Sequence, residues 1–210
     1  MTGSKTIQYL TRSQIDTNKW DQCISRATNG RIYAYAVYLD TMSANWDALV
    51  LNDYEAVMPL TWNSKYGIRY LYQPCLAAQL GVFGSNDVQA FIHAIPAHFR
   101  YIDIYFNSAN TVSFDKDSVQ LRDNYILNLD QSYEKLFAAY RENIRRNIKK
   151  AKQAGCIVVK DFDVEDVIRL ATAQMQLHDK NVEENTGRFR KLYHLLKAEN
   201  KYQIAFHPFR

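Results

Sequence analysis

The sequence predicts a mixed α/β fold, a mainly antiparallel sheet flanked by helices. Three observations carry that expectation. Two apolar runs, 46–51 and 54–62, are separated by Asn52-Asp53, a pair with the chemistry of a tight hairpin turn. A third run, 68–73, follows the turn-forming stretch 63–67 and stops at Pro74, so the three read as a meander. In the C-terminal part of the chain, apolar residues recur at helical rather than strand spacing.

The other elements follow in order. Residues 6–11 read as a first strand. Asp16 can cap a helix over 17–27 with Trp20, Cys23, Ile24 and Ala27 on one face, and Asn29-Gly30 ends it. Residues 31–44 fit strand and helix equally. After the meander, Phe91, Ile92 and Ile95 mark a helix within 88–99 that Pro96 limits. A strand at 101–106, a polar loop at 107–120 and a strand at 121–129 come next. Asp130 can cap a long helix to Ala154, closed by Gly155. A strand at 156–160, helices at 163–180 and 188–199, and the start of a strand at 202–206 complete the reading. A composition shift near Phe162, from strands and aromatics to helices, divides the chain into an N-terminal domain, 1–162, and a helical start of a second domain, 163–210.

Bulk composition narrows the class. At 210 residues the chain can bury a core without staples, and 47% hydrophobic with 23% charged residues excludes disorder of the whole. Fifteen Tyr and ten Phe against seven Gly favour sheets with large side chains between layers. Cys23, Cys75 and Cys156 are far apart and show no zinc-ligand spacing, so they read as reduced thiols. The N-terminus has no signal-peptide core, and no apolar run reaches the length of a membrane span. A soluble, cytoplasmic protein is the expectation.

Charge is where the sequence is most specific. Net charge is +4. Within 141–152, Arg141, Arg145, Arg146, Lys149, Lys150 and Lys152 face a single acid, Glu142, which leaves 20 basic and 21 acidic residues elsewhere. The apolar positions Leu136, Phe137, Tyr140, Ile144, Ile148 and Ala151 form one stripe at 3.6-residue periodicity. Arg141, Arg145, Lys149 and Lys152 form a row beside it, and Glu142 can pair with Arg146. Such a helix can simply present a solvated face. Yet solvated faces mix signs, and like charges four residues apart repel by roughly 0.2–0.5 kcal/mol per pair. A row that accepts this repeatedly fits a phosphate-bearing partner: a nucleotide, a tRNA backbone or a lipid-linked pyrophosphate.

Other clusters are weaker. His93 and His98 lack a third ligand at metal-site spacing, and His178, Asp179, Glu183 and Glu184 read as a solvated helix end. No nucleophile elbow, P-loop or dinucleotide fingerprint occurs. Tyr72, Gln73 and Gln79 set polar groups among aromatics after a central strand. They fit a pocket wall or a packed strand and bend.

Taken together, the Asn-Asp hairpin, Tyr70-Leu71-Tyr72-Gln73-Pro74, Gln79-Leu80-Gly81 and the helix bearing Arg145-Arg146-Asn147-Ile148-Lys149-Lys150-Ala151 resemble the FemAB-like transferases of the GNAT superfamily. The resemblance covers most of the chain. It implies two tandem GNAT-like domains, the second incomplete here, and transfer of an acyl or aminoacyl group to an amine. It implies acyl-coenzyme A or aminoacyl-tRNA as donor substrate, with no tightly bound cofactor, and a peptidoglycan precursor as acceptor in the aminoacyl case. The basic row would then face phosphate of donor or acceptor. A dimer or a complementing chain would supply what the second domain lacks. The alternative is a non-catalytic module binding RNA or an anionic precursor through the same helix. The sequence names no catalytic base.

Overall fold

The computed structural model describes residues 6–113, 119–160, 163–175, 181–198 and 205–206 of the chain. Its architecture is the expected α/β type. Five strands, β1 (Ile7–Leu10), β2 (Asn45–Leu51), β3 (Ala56–Lys65), β4 (Ile68–Tyr72) and β5 (Phe99–Asp103), form one sheet in sequence order. Neighbours from β1 to β4 are antiparallel, and β5 runs parallel to β4. Three helices belong to this part: α1 (Thr17–Arg26), α2 (Ala36–Met42) and α3 (Val88–His93).

The side-chain alternation of β2 explains the layering. Trp46, Ala48 and Val50 point to one face, where they pack with Trp20, Ile24 and Leu39 of α1 and α2. Leu49 and Leu51 point to the other face and pack with Met58, Leu60, Leu71 and Phe91. The strand is therefore apolar almost throughout, because both faces are covered. Trp20 anchors the first core. It is fully buried, its indole N–H donates to the Ala34 carbonyl at 2.7 Å, and its ring lies 5.1 Å from that of Trp46.

Caps and turns show which local signals held. Asp16 accepts hydrogen bonds from the amides of Asn18 and Lys19 at 3.0 and 3.1 Å and so starts α1 as the sequence predicts. The β2–β3 connection is longer than the two-residue turn expected at Asn52-Asp53. Leu51 pairs with Ala56, so four residues form the loop. Asn52 and Tyr54 take positive φ, and the Tyr54 hydroxyl is drawn to the start of α1, where it accepts from the Asp16 amide at 2.8 Å. The tight turn comes one hairpin later. Lys65 pairs with Ile68, and Tyr66-Gly67 both have positive φ, as a two-residue primed turn requires.

By compactness the chain groups into Met1–Leu121 with Gly187–Leu192, and Arg122–Thr186 with Tyr193–Arg210. The boundary expected at residue 162 lies outside the described residues. The second unit contains α4 (Tyr133–Ala139), α5 (Glu142–Gln153), a two-residue strand β6 (Val159–Lys160), α6 (Val164–Met175), most of α7 (Val182–Ala198) and β7 (Ala205–Phe206), which pairs antiparallel with β6.

Two expectations for this region are corrected. Residues 121–129, expected as a strand, form none: three polar residues, Arg122, Asp123 and Asn124, interrupt its apolar positions, no described segment pairs with it, and Leu121 and Tyr125 are 93% and 91% exposed. The single helix expected from Asp130 to Ala154 is two helices. Ser132, not Asp130, caps α4. Tyr140 and Arg141 are extended, with ψ of 140° and 151°, and the second helix begins after them. The break makes Glu142 a first-turn residue, where the positive end of the α5 dipole favours its carboxylate. Gly155, at φ +75°, ends α5 as expected.

Candidate anion-binding helix and pocket wall

Helix α5 presents its charge because its sequence leaves no alternative. At about 100° per residue, Ile144, Ile148 and Ala151 fall on one line. Arg145, Lys149 and Lys152 flank that line on one side, while Arg146 and Lys150 lie on the far side. Arg141 does not continue the row inside the helix. It occupies the N-cap, where its carbonyl accepts from the Ile144 and Arg145 amides at 3.0 and 3.2 Å. All six basic side chains are exposed. Among the described residues none of the six has an ion-pair partner, and Glu142 and Arg146 are not paired. Cations in the last turn, Lys150 and Lys152, complement the helix dipole, whereas Arg141, Arg145 and Arg146 crowd its positive end. The N-terminal half of α5 therefore holds the less favourable charges.

The residues read as a pocket wall, Tyr72, Gln73 and Gln79, belong to the first unit, and the polar groups of Tyr72 and Gln73 are engaged within it. The Tyr72 hydroxyl accepts from the Ala44 amide at 2.9 Å, and its carbonyl accepts from the Thr61 hydroxyl. Gln73 spends both ends of its amide. Its nitrogen donates to the Ala77 carbonyl at 2.7 Å, and its oxygen accepts from the Tyr105 amide at 3.0 Å. Gln79 is half-buried on the following turn. Gln73 thus joins the end of β4 to the segments around 77 and 105, a bracing role that leaves it little to offer a ligand.

That bracing extends into a buried asparagine cluster that the sequence reading treated as loop. Residues 80–83 bridge β3 on one side, through Val57 and Phe83, and Phe106 on the other, through Leu80. Asn29, Asn107 and Asn110 converge on this run. All three donate to the Val82 carbonyl, at 2.9, 3.3 and 2.9 Å, and Asn110 also accepts from the Val82 amide at 2.8 Å. Asn107 further donates to the Leu80 carbonyl at 3.0 Å. Gly81 makes the approach possible: its φ is +95°, and a Cβ there would lie 2.3 Å from Asn110 Oδ1.

Two further polar groups sit on the sheet. Asp47, buried on β2, accepts from the Tyr9 hydroxyl at 2.6 Å and the Arg12 amide at 3.0 Å. Burial first, and then this bond, push the Tyr9 phenol well above its ordinary pKa. Asp40 accepts both arms of the Arg12 guanidinium, at 2.6 and 2.7 Å, and the Trp46 indole N–H at 2.8 Å. Burial pushes the Asp40 carboxyl up, but these donors outweigh it and hold the group below the usual range.

One groove of about 380 Å³ lies between α1 and the β2–β3 loop, lined by Lys19, Gln22, Cys23, Arg26, Glu55 and Gly84 among others. Lys19 is tied to Asp53 at 2.7 Å on its rim. Burial raises the Cys23 thiol, with Arg26 opposing only in part, so the sulfur stays protonated and is a poor nucleophile. His93 contacts the Gln89 side chain at 3.0 Å, and His98 packs on Phe99 and Tyr9 with ring centroids at 4.2 and 5.8 Å. Among the described residues no helix is long and apolar enough to cross a membrane. Comparisons with models of known protein families, with curated proteins and with solved structures find no match to this chain.

Proposed function

We propose that the chain serves N-acyl or aminoacyl transfer of the GNAT/FemAB type, with α5 holding the phosphates of its donor or acceptor. The observation that carries this reading is the set of six exposed basic residues on and beside α5, none ion-paired among the described residues. Unpaired like charges repel, and a phosphate-bearing ligand removes that penalty while accepting bidentate arginine bonds. Coenzyme A and aminoacyl-tRNA are the donors that carry such phosphates, a peptidoglycan precursor is the acceptor in the aminoacyl case, and such a reaction would run in the cytoplasm. Much of such a reaction is alignment of an amine with a polarised carbonyl, so a nucleophile is not required.

The test is equilibrium binding of coenzyme A and of total tRNA across a salt series, followed by turnover with acyl donors and an amine. For tRNA, neutralising five or six phosphates gives a log–log salt slope of roughly −4 to −5. Arg145→Glu with Lys149→Glu abolishes binding while the far-UV spectrum is retained. Unchanged binding in that double variant counts against the reading.

A second reading, a non-catalytic module for RNA or an anionic precursor, draws on the placement of the cations on open surface. Binding with the same slope but no turnover with any acyl donor favours it.

A further inference from the structure

The apolar side of α5 is as informative as its basic side. An amphipathic helix that met only a soluble polyanion would bury its apolar line against its own domain. Here Ile144 remains 41% exposed, Ile148 and Ala151 are only half-buried, and no residue of α5 is fully buried. Beyond the Gly155 stop, Ile157 and Val158 are likewise 62% and 67% exposed. Arg145, Lys149 and Lys152 border the apolar line, so their long stems can lie along an apolar surface with the charges lifted to its rim.

We propose that α5 docks flat on an anionic lipid surface, with Ile144 and Ile148 entering the headgroup boundary and the flanking cations meeting lipid phosphates. This inference rests on the reading of α5 as a phosphate-binding element and names the surface that supplies the phosphates. Charge complementarity selects the partner: Arg145, Lys149 and Lys152 border the apolar line, and Glu142 is the one acid within 141–152. A partly exposed aliphatic line beside those cations selects a bilayer over a nucleic acid, whose backbone offers nothing apolar for Ile144 to enter. Helices of this composition lie in the interface without crossing it. Each basic side chain near such a surface strengthens attachment by about fivefold.

The experiment is co-sedimentation of the full chain with vesicles of phosphatidylcholine alone and of phosphatidylcholine mixed with phosphatidylglycerol, beside tRNA binding in the same buffer. The expected result is binding to the mixed vesicles, little to phosphatidylcholine, and loss with added salt. Ile144→Ser with Ile148→Ser then weakens vesicle binding by about tenfold and leaves tRNA binding unchanged. Circular dichroism of the variant checks that its helix content persists. A variant that has lost helix is replaced by Lys149→Glu with Lys152→Glu, for which vesicle binding must fall while binding to phosphatidylcholine stays at its low level. Equal vesicle binding by wild type and variant overturns the docking. Wild type that binds tRNA but not mixed vesicles also overturns it and leaves the phosphate reading standing. Failure to bind either overturns both.

Discussion

The two units of this chain use similar apolar patterns and reach opposite outcomes. In the first, the central strand finds partners on both sides: β2 is covered on both faces, and α1 and α2 close over Trp46 and Val50. In the second, residues 122–129 form no ladder and the apolar line of α5 is only half-covered. Its buried apolar side chains among the described residues are Val164, Ile168 and Val182. The lesson is that an apolar run becomes a packed element only where its apolar face meets a partner.

Substitutions at matched positions give the strongest contrast. Trp20→Ala removes a fully buried ring and its bond to Ala34, and should destabilise the first unit by about 3–5 kcal/mol in denaturant unfolding. Ile148→Ala on α5 should cost less than about 1 kcal/mol, since the side chain is only half-buried. Comparable losses would show that α5 is packed far better than its exposure indicates.

Next in size is the asparagine cluster. Gly81→Ala combines a left-handed backbone with an overlap on Asn110 and should lower stability by about 2 kcal/mol or more. Asn107→Ala should cost about 1 kcal/mol, because the carbonyls of Leu80 and Val82 lose one donor but keep the residue 107 amide and the Asn29 and Asn110 side chains. A neutral Gly81→Ala, judged by its thermal midpoint, would mean the run at 80–83 can shift away.

Hydrogen exchange sharpens the comparison without mutation. Amides of β2 and β3 should exchange only on global unfolding, and those of 121–131 should exchange nearly as fast as free peptide. Slow exchange at 121–131 would reveal a partner for that segment.

The smallest effect is electrostatic. The folded pKa of Asp40 is depressed, so its contribution is present above the unfolded value and lost as pH falls through the folded one. Both side chains of the Arg12–Asp40 pair are more than a third exposed, so the loss should be no more than about 1 kcal/mol. Arg12→Gln should flatten the acid limb of a stability-versus-pH curve. An unchanged limb would assign the dependence to other carboxylates.

Legibility followed distance along the chain. The Asp16 cap, the Gly155 stop and the clustering of charge on α5 are set by near neighbours, and each was readable. Residues 31–44 were ambiguous because the start of α2 is completed from outside: the Ala36 amide donates to Asp21 of α1 at 2.8 Å. Asn107 and Asn110 read as solvated loop because side-chain periodicity carries no mark for a buried amide whose partners are far off in sequence. Gln73 looked like a pocket residue for the same reason. The acceptor and donor that occupy it lie at Ala77 and Tyr105, the second on a distant segment. For the candidate site, the identity of the cations was legible and their interruption at Arg141 was not.

The asparagine cluster also bears on the order in which the first unit assembles. The β2–β3 hairpin closes a loop of a few residues, whereas the Asn29–Asn107 contact joins positions 78 apart. Closing so long a loop is entropically late, so the clamp on Val82 should form after the folding transition state. Asn107→Ala should then leave the refolding limb of a chevron nearly in place and speed the unfolding limb, making these three amides a latch on how long the native sheet persists. A slowed refolding limb would instead place the latch in the nucleus.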